Sequence, residues 1–263
     1  MQSISDQSIA SLEARAQAGA LSDEELEVLG SDQRAGARKL AARIFKHRAA
    51  TAREHERLMV LTSFERDLHE KGRQHVAGVD EVGAGPLAGP VVAAAVILAP
   101  GALMEGVDDS KKLSASRRRE LADRIRSEAV SFALGACTPA EIDEYNIYQA
   151  SREAMRRAVE GLGVCADHLL VDARTVPRVS IPQTPLKKGD QRSQSIAAAS
   201  ILAKVYRDDL MEDYAHQYPG YGFEAHAGYP TAAHLDALSR LGPTPIHRRS
   251  FGPVQRCVAE IGE

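Results

Sequence analysis

Two spacings of apolar residues divide the chain. Up to about residue 72, apolar positions recur three and four residues apart, which predicts helices throughout. Ala37, Leu40, Ala41, Ile44 and Phe45 form one stripe, and Leu58, Leu61, Phe64 and Leu68 continue it. Ser22 followed three residues later by Glu25 is a capping-box pattern, and Gly30 with Ser31 and Asp32 marks a break. At Lys71 and Gly72 the pattern turns strand-like, which predicts a boundary near residue 73. Residues 75–80 and 91–98 read as strands joined by a short turn, residues 130–137 as a third, and residues 168–172 as a short buried strand ending on an acid. Ser114 or Ser116 is placed to cap a basic helix after the polar stretch 107–114. Further helices are predicted from residue 139 to 160 with a break, from 193 to about 217, and from 231 to 241. Residues 173–189, which hold three prolines, and the stretches after Pro219 and from 243 to 251 are predicted loops. No internal repeat or low-complexity tract is present.

At 263 residues the chain has room for one full domain with an extension, or two small domains. Its 44% apolar and 26% charged residues are ordinary for a soluble protein, and the lack of Trp predicts an aliphatic core. A net charge of −3 removes any overall basic footprint, so a nucleic-acid ligand would need local basic patches. One such stretch lies between Asp32 and Arg57, with eight Lys or Arg against three Asp or Glu. It suits a solvated helix face or an extra grip on a phosphate backbone. Cys137, Cys165 and Cys257 follow no zinc or redox spacing, which fits a reducing compartment. With no secretory leader and no apolar run long enough to span a bilayer, a cytoplasmic protein without membrane contact is expected.

The candidate chemistry starts at the first predicted strand, which ends on Asp80 and Glu81 beside the turn Gly83-Ala84-Gly85-Pro86. Asp172 and Asp190 stand at the ends of later strands or loops. Hard divalent cations take oxygen ligands. Two of them roughly 4 Å apart stabilise both the attacking and the leaving oxygen of a phosphodiester displacement. The glycine turn also matches a dinucleotide fingerprint, but that motif opens a helix, whereas here Gly89, Pro90 and a valine-rich strand follow. A Walker-type nucleotide site is excluded, because no Gly-Lys-Ser/Thr follows a glycine loop. His226, His234 and His247 match no metal-site spacing and are expected to be hydrogen-bonding residues.

The segments GVDEVGAGPLAGPVVAAAVIL, DSKKLS, LLVDA, KGD, SIAAASILAKVYRD, YGFEAHAGYPTAAHLDAL and GPTPIHRRSF, in this order from about residue 75 to residue 254, resemble the ribonuclease HII family. The N-terminal helical region resembles an extension of some bacterial members more loosely. The resemblance implies an α/β, RNase H-like fold: a mixed five-stranded sheet flanked by helices, with a C-terminal helical part. An N-terminal helical extension (1–72) would precede a catalytic domain (73–263).

It also implies an endonuclease that cuts the RNA strand of RNA–DNA hybrids, leaving 3′-hydroxyl and 5′-phosphate ends, and that incises duplex DNA 5′ of a single ribonucleotide, as in ribonucleotide excision repair and replication. By the same resemblance Asp80 bridges two Mg²⁺ or Mn²⁺ ions, and Asp172 and Asp190 each complete one site. Glu81 would act through its carbonyl or a bridging water, since successive strand residues face opposite ways.

Recognition of the 2′-hydroxyl would fall to the backbone of Gly83, Ala84 and Gly85, where glycine admits close approach, and to Tyr229. Lys111, Lys112, Asn146, Ser195, Lys204 and Arg248 are further candidate substrate contacts. For Lys204 and Arg207, ion pairing with Asp208 is the alternative. The chain leaves the family pattern at Ala84, where Gly-Arg-Gly is usual, and at Ala227, where lysine is frequent. Both changes trim the basic surface. A monomer is expected. The competing readings are an RNase H-like DNA nuclease or resolvase, which would have no 2′-hydroxyl to sense, and a non-catalytic hybrid-binding protein, which would be expected to have lost a carboxylate.

Overall fold

The computed structural model describes residues 4–261. Packing divides them into two compact units, one running to Arg57 and the other starting at Leu58. In the first, a short 3₁₀ turn (Ile4–Asp6) precedes α1 (Ile9–Gln17), α2 (Asp23–Gly30) and the long α3 (Ala35–Leu61), whose last turn enters the second unit. The Ser22–Glu25 capping box forms as the sequence predicts. Leu12, Leu21, Leu26, Leu29, Ala37, Leu40 and Ala41 make the core of this unit. Phe45, expected on the same stripe, is exposed.

The second unit begins with α4 (Ser63–Glu70) and is built on a five-stranded sheet. Its strands are β1 (Val76–Val82), β2 (Val91–Ile97), β3 (Ser131–Cys137), β4 (His168–Asp172) and β5 (Gln183–Leu186), in the order β3-β2-β1-β4-β5. The pairs β1/β2 and β2/β3 are antiparallel, and β1/β4 and β4/β5 are parallel. Alternation along the strands sorts the core into two layers. Ala77, Val79, Val91, Ala93, Ala95 and Ile97 pack with Ala150, Ala154 and Ala158 of α7 (Ile147–Glu160). Val92, Ala94 and Val96 face α5 (Ala115–Glu128) and α8 (Gln194–Gln217). Covered on both faces, β2 is buried at every position, which is why its sequence is an unbroken apolar run rather than an alternating one.

Two glycines set how closely the layers approach. A Cβ on Gly78 would collide with the backbone of Ser195 in α8, and one on Gly135 with the backbone of α7. Between α6 (Pro139–Tyr145) and α7, Asn146 adopts a positive φ of 64° and caps α7 by accepting from Gln149, which explains the expected break. The predicted loop at 173–189 contains β5, which its own pattern does not announce. It is an edge strand paired only to β4, a position that tolerates Pro185. The long predicted loop after Pro219 holds a single short turn of helix, α9 (Phe223–His226). Then come α10 (Ala232–Leu241) and α11 (Gly252–Ile261). Among the described residues, no helix is long and apolar enough to cross a membrane.

Candidate active site

Parallel pairing of β1 with β4 brings their C-terminal ends together, so Asp80 and Glu81 lie beside Asp172. Asp190 sits on a 3₁₀ turn (Gly189–Gln191) that leads into α8, and the turn is tied to β4 because the Gly189 N–H donates to Asp172 Oδ1 (2.6 Å). Asp80 is 6% exposed, and its Oδ1 accepts from the Glu81 N–H (2.8 Å). Burial, and then the charges of Glu81 and Asp172, hold its carboxyl well above the usual carboxylate range. Burial likewise pushes Glu81 up to about 7, opposed by Arg174, whose Nη1 lies 3.5 Å from Glu81 Oε1. Asp190 is raised by burial and by Asp109 and Asp172, with Lys111 opposing. Negative charge is therefore crowded in a half-dry setting, and a nearby cation would favour the charged forms of Asp80, Glu81 and Asp190.

The donor set fits a hard divalent cation. It is all oxygen, it is mutually repulsive, and Glu81 Oε2 is buried without a hydrogen-bond partner. Among the described residues no three His, Cys, Asp or Glu side chains form a ready-made cation cluster. A Mg²⁺-type ion that keeps several waters does not require one.

The glycine turn beside these acids is held from beneath. Arg248 is fully buried and donates to three carbonyls: Gly83 (2.6 Å), Gly89 (2.9 Å) and Ala84 (3.0 Å). Arg207, also fully buried, donates to Pro90, Ala88 and Ala227. Gly83 has a φ of 87°, and a Cβ there would strike Arg207. The turn is laced to the C-terminal region by Leu87 N–H to the Gly228 carbonyl and Arg248 N–H to the Leu87 carbonyl, both 2.8 Å. Gly85 is exposed, and a Cβ on it would sit 3.6 Å from the Tyr229 ring. That ring is 41% exposed beside the turn.

The remaining expected contacts divide. Lys111, Lys112 and Asn146 are exposed, with Lys112 paired to Asp108 (3.0 Å), and Lys204 pairs with Asp208 (2.7 Å). Three placements differ from expectation. Arg248 and Arg207 are internal struts rather than surface phosphate grips, because every guanidinium nitrogen is committed to backbone carbonyls. Ser195 is fully buried, with its hydroxyl bonded to Glu65.

Two neighbours were not singled out from the sequence. Asp109, in the DSKKLS segment, is buried beside Asp190 and accepts from the Lys111 N–H and from Gln191. Arg174 lies 3.5 Å from Glu81 and over the ring of the exposed Tyr148. An acid in a polar loop next to lysines was the only available signal for Asp109, and position two residues after Asp172 the only one for Arg174.

Comparison with known proteins bears on the family and the fold. The ribonuclease HII family pattern matches residues 77–254, and the ribonuclease HII N-terminal domain matches residues 8–69. A ribonuclease HII of Myxococcus xanthus is 55% identical over 89% of this chain and 80% of its own. One of Lactobacillus gasseri is 51% identical over 90% of this chain and 94% of its own. The crystal structure of the ribonuclease H2 from Pyrococcus horikoshii superposes with a TM-score of 0.62 at 26% identity, covering 72% of this chain and 99% of that one. An RNase H-like sheet with acids at the ends of β1 and β4, and a family match running through both units, make this chain a member of the ribonuclease HII family.

Proposed function

We propose that this member of the ribonuclease HII family hydrolyses the RNA strand of RNA–DNA hybrids and also incises duplex DNA 5′ of a single embedded ribonucleotide, leaving 3′-hydroxyl and 5′-phosphate ends. The family is divalent-metal dependent. Asp80, Asp172 and Asp190, assisted by Glu81, are the residues that would hold two Mg²⁺ or Mn²⁺ ions. When bound, such ions activate a water and neutralise charge on the leaving 3′-oxygen. The observation that carries the assignment is the meeting of buried Asp80 and its neighbour Glu81 with Asp172 at the adjoining ends of β1 and β4, with the turn that bears Asp190 tied to Asp172 through the Gly189 N–H.

The protein's own contribution is to hold and to read. The Glu81 N–H, 2.8 Å from Asp80 Oδ1, orients the Asp80 carboxylate. The turn at Gly83, Ala84 and Gly85 offers backbone at its exposed edge, stiffened by Arg248, so that a sugar and phosphate can approach without a side chain between them. Tyr229, bordering Gly85, supplies a ring for the sugar and a hydroxyl for the 2′-oxygen. Exposed Lys111 and Lys112 add positive charge near the acids for the phosphate backbone.

The test is Asp80→Asn, assayed on a duplex with one ribonucleotide and on a full hybrid, with cleavage sites mapped. Cleavage is expected to fall by at least about 10³-fold on both, in line with removal of an electrostatic element of a catalytic site, while circular dichroism stays native. Near-normal cleavage by the purified variant refutes the carboxylate assignment. Cutting of the hybrid but not of the single-ribonucleotide duplex by the unaltered protein refutes the junction activity.

A further inference from the structure

Glu65 lies outside every motif considered above. It sits on α4, is 8% exposed, and directs one oxygen at the start of α8. Oε1 accepts from the Ser193 hydroxyl (2.6 Å), the Ser195 hydroxyl (2.6 Å) and the Ser195 N–H (2.9 Å). Both serines are fully buried. Oε2 is buried with no hydrogen-bond partner. A carboxylate kept from water with one oxygen unpaired carries a desolvation penalty. Three converging donors and the positive end of a 24-residue helix offset it.

What this contact holds is the junction on which the acids depend. Ser193 is the N-cap of α8, accepting from Ile196, and its own N–H donates to the Gly189 carbonyl (2.8 Å). Gly189 opens the 3₁₀ turn that carries Asp190, and its N–H holds Asp172. On the other side, the Ser195 backbone lies so close to Gly78 that no side chain fits between them, and Gly78 is two residues before Asp80 in β1. Glu65 thus grips the one point from which the chain reaches β1, β4 and the Asp190 turn within a few bonds.

We infer that Glu65 is a positioning residue for the cation site: by clamping Ser193 and Ser195 it fixes the Asp190 turn relative to Asp80 and Asp172. This rests on the assignment of those three aspartates as cation ligands. A role of this kind, through groups behind the ligands, is one whose loss typically weakens metal binding by about 10-fold or more. It also makes α4, which the N-terminal family match includes, a working part of the catalytic unit with which it packs.

The experiment is a Mn²⁺ titration of the full chain without substrate, by electron paramagnetic resonance, alongside thermal melts and hybrid-cleavage kinetics. Glu65→Ala is expected to weaken Mn²⁺ binding about 10-fold and to lower kcat, leaving KM for the hybrid unchanged. Glu65→Gln, which keeps an acceptor oxygen in place, should recover most of the affinity. Ser195→Ala, which removes one donor by loss of a single oxygen, should weaken Mn²⁺ binding several-fold and carries the test if Glu65→Ala does not fold. Wild-type Mn²⁺ affinity in folded Glu65→Ala, or in Ser195→Ala when the former is unfolded, overturns the inference and leaves Glu65 a purely structural group. Asp80→Asn and Asp190→Asn are the controls. If they too bind Mn²⁺ normally, it is the ligand assignment that has failed rather than the clamp.

Discussion

Ala84 is the middle residue of the glycine turn, half-buried, with its carbonyl bonded to Arg248 Nη1 at 3.0 Å. Because the turn is fixed through its backbone, the side chain at this position can change without undoing the loop. Restoring the usual family residue, Ala84→Arg, should therefore add one phosphate contact and little else. Hybrid affinity is expected to rise several-fold at low salt, and the slope of log K against log [salt] to steepen by about 1. Fluorescence anisotropy over a salt series checks this, and an unchanged slope would mean that position 84 does not face phosphate. At this scale the placing of Asp80, Glu81 and Asp172 at strand ends was legible in the sequence, since apolar runs that stop on carboxylates put them there, whereas their proposed role came from the motifs around them. The places of Arg248, Arg207 and Glu65 were not legible. Charged residues default to the surface, and the groups that draw these three inside lie far along the chain, 165 residues away for Arg248 and Gly83 and 130 for Glu65 and Ser195.

The elements around Tyr229 depend on a histidine chain. The Thr244 N–H donates to His247 Nδ1 (2.9 Å), so neutral His247 carries its proton on Nε2 and donates to His234 Nε2 (3.1 Å). His234 then holds its proton on Nδ1 and donates to the Tyr229 carbonyl (2.9 Å). His226 stacks on His234 with centroids 4.6 Å apart. Burial, and then His234, push His247 down to about 4, and burial lowers His234 too. A histidine whose folded pKa lies below its unfolded value near 6.5 leaves the unfolded chain holding more protons between those values. The stability it confers is whole above about pH 6.5 and is lost as pH falls toward 4. For His247 alone this is roughly 3 kcal/mol across that window at 1.36 kcal/mol per unit. Urea melts at pH 7 and pH 4.5 should show a larger acid loss for the wild type than for His247→Gln, and equal losses would remove this pair from the acid sensitivity. The strands β1 to β4 could be read from their runs because burial wrote the pattern. β5 could not, since four residues at a sheet edge take their form from β4 rather than from their own sequence.

Across the whole molecule, the family division and the packing division fall in different places. The N-terminal match ends at residue 69, whereas the second compact unit begins at Leu58 and includes α4. The strand-like change of pattern at Lys71 and Gly72 marks where helices end in the sequence, and it cannot reveal that α4 packs Phe64 and Leu68 against Val76, Leu170 and Ile196. Two truncations separate these divisions. Removing residues 1–57 takes away the basic stretch but keeps Glu65 and the α4 core contacts. It should leave kcat and Mn²⁺ affinity within about 2-fold of the full chain, and any loss should appear in KM with a shallower salt slope, as expected when phosphate contacts go. Removing residues 1–70 takes away Glu65, Phe64 and Leu68 as well, leaving Ser193 and Ser195 without their shared acceptor and part of the core uncovered. Melting temperature and Mn²⁺ affinity should then both drop, with Mn²⁺ binding weakened at least as far as in Glu65→Ala. Equal behaviour of the two truncations would place the working boundary at the end of α4, and a large loss of kcat on removing only residues 1–57 would show that the first unit shares in catalysis rather than in grip.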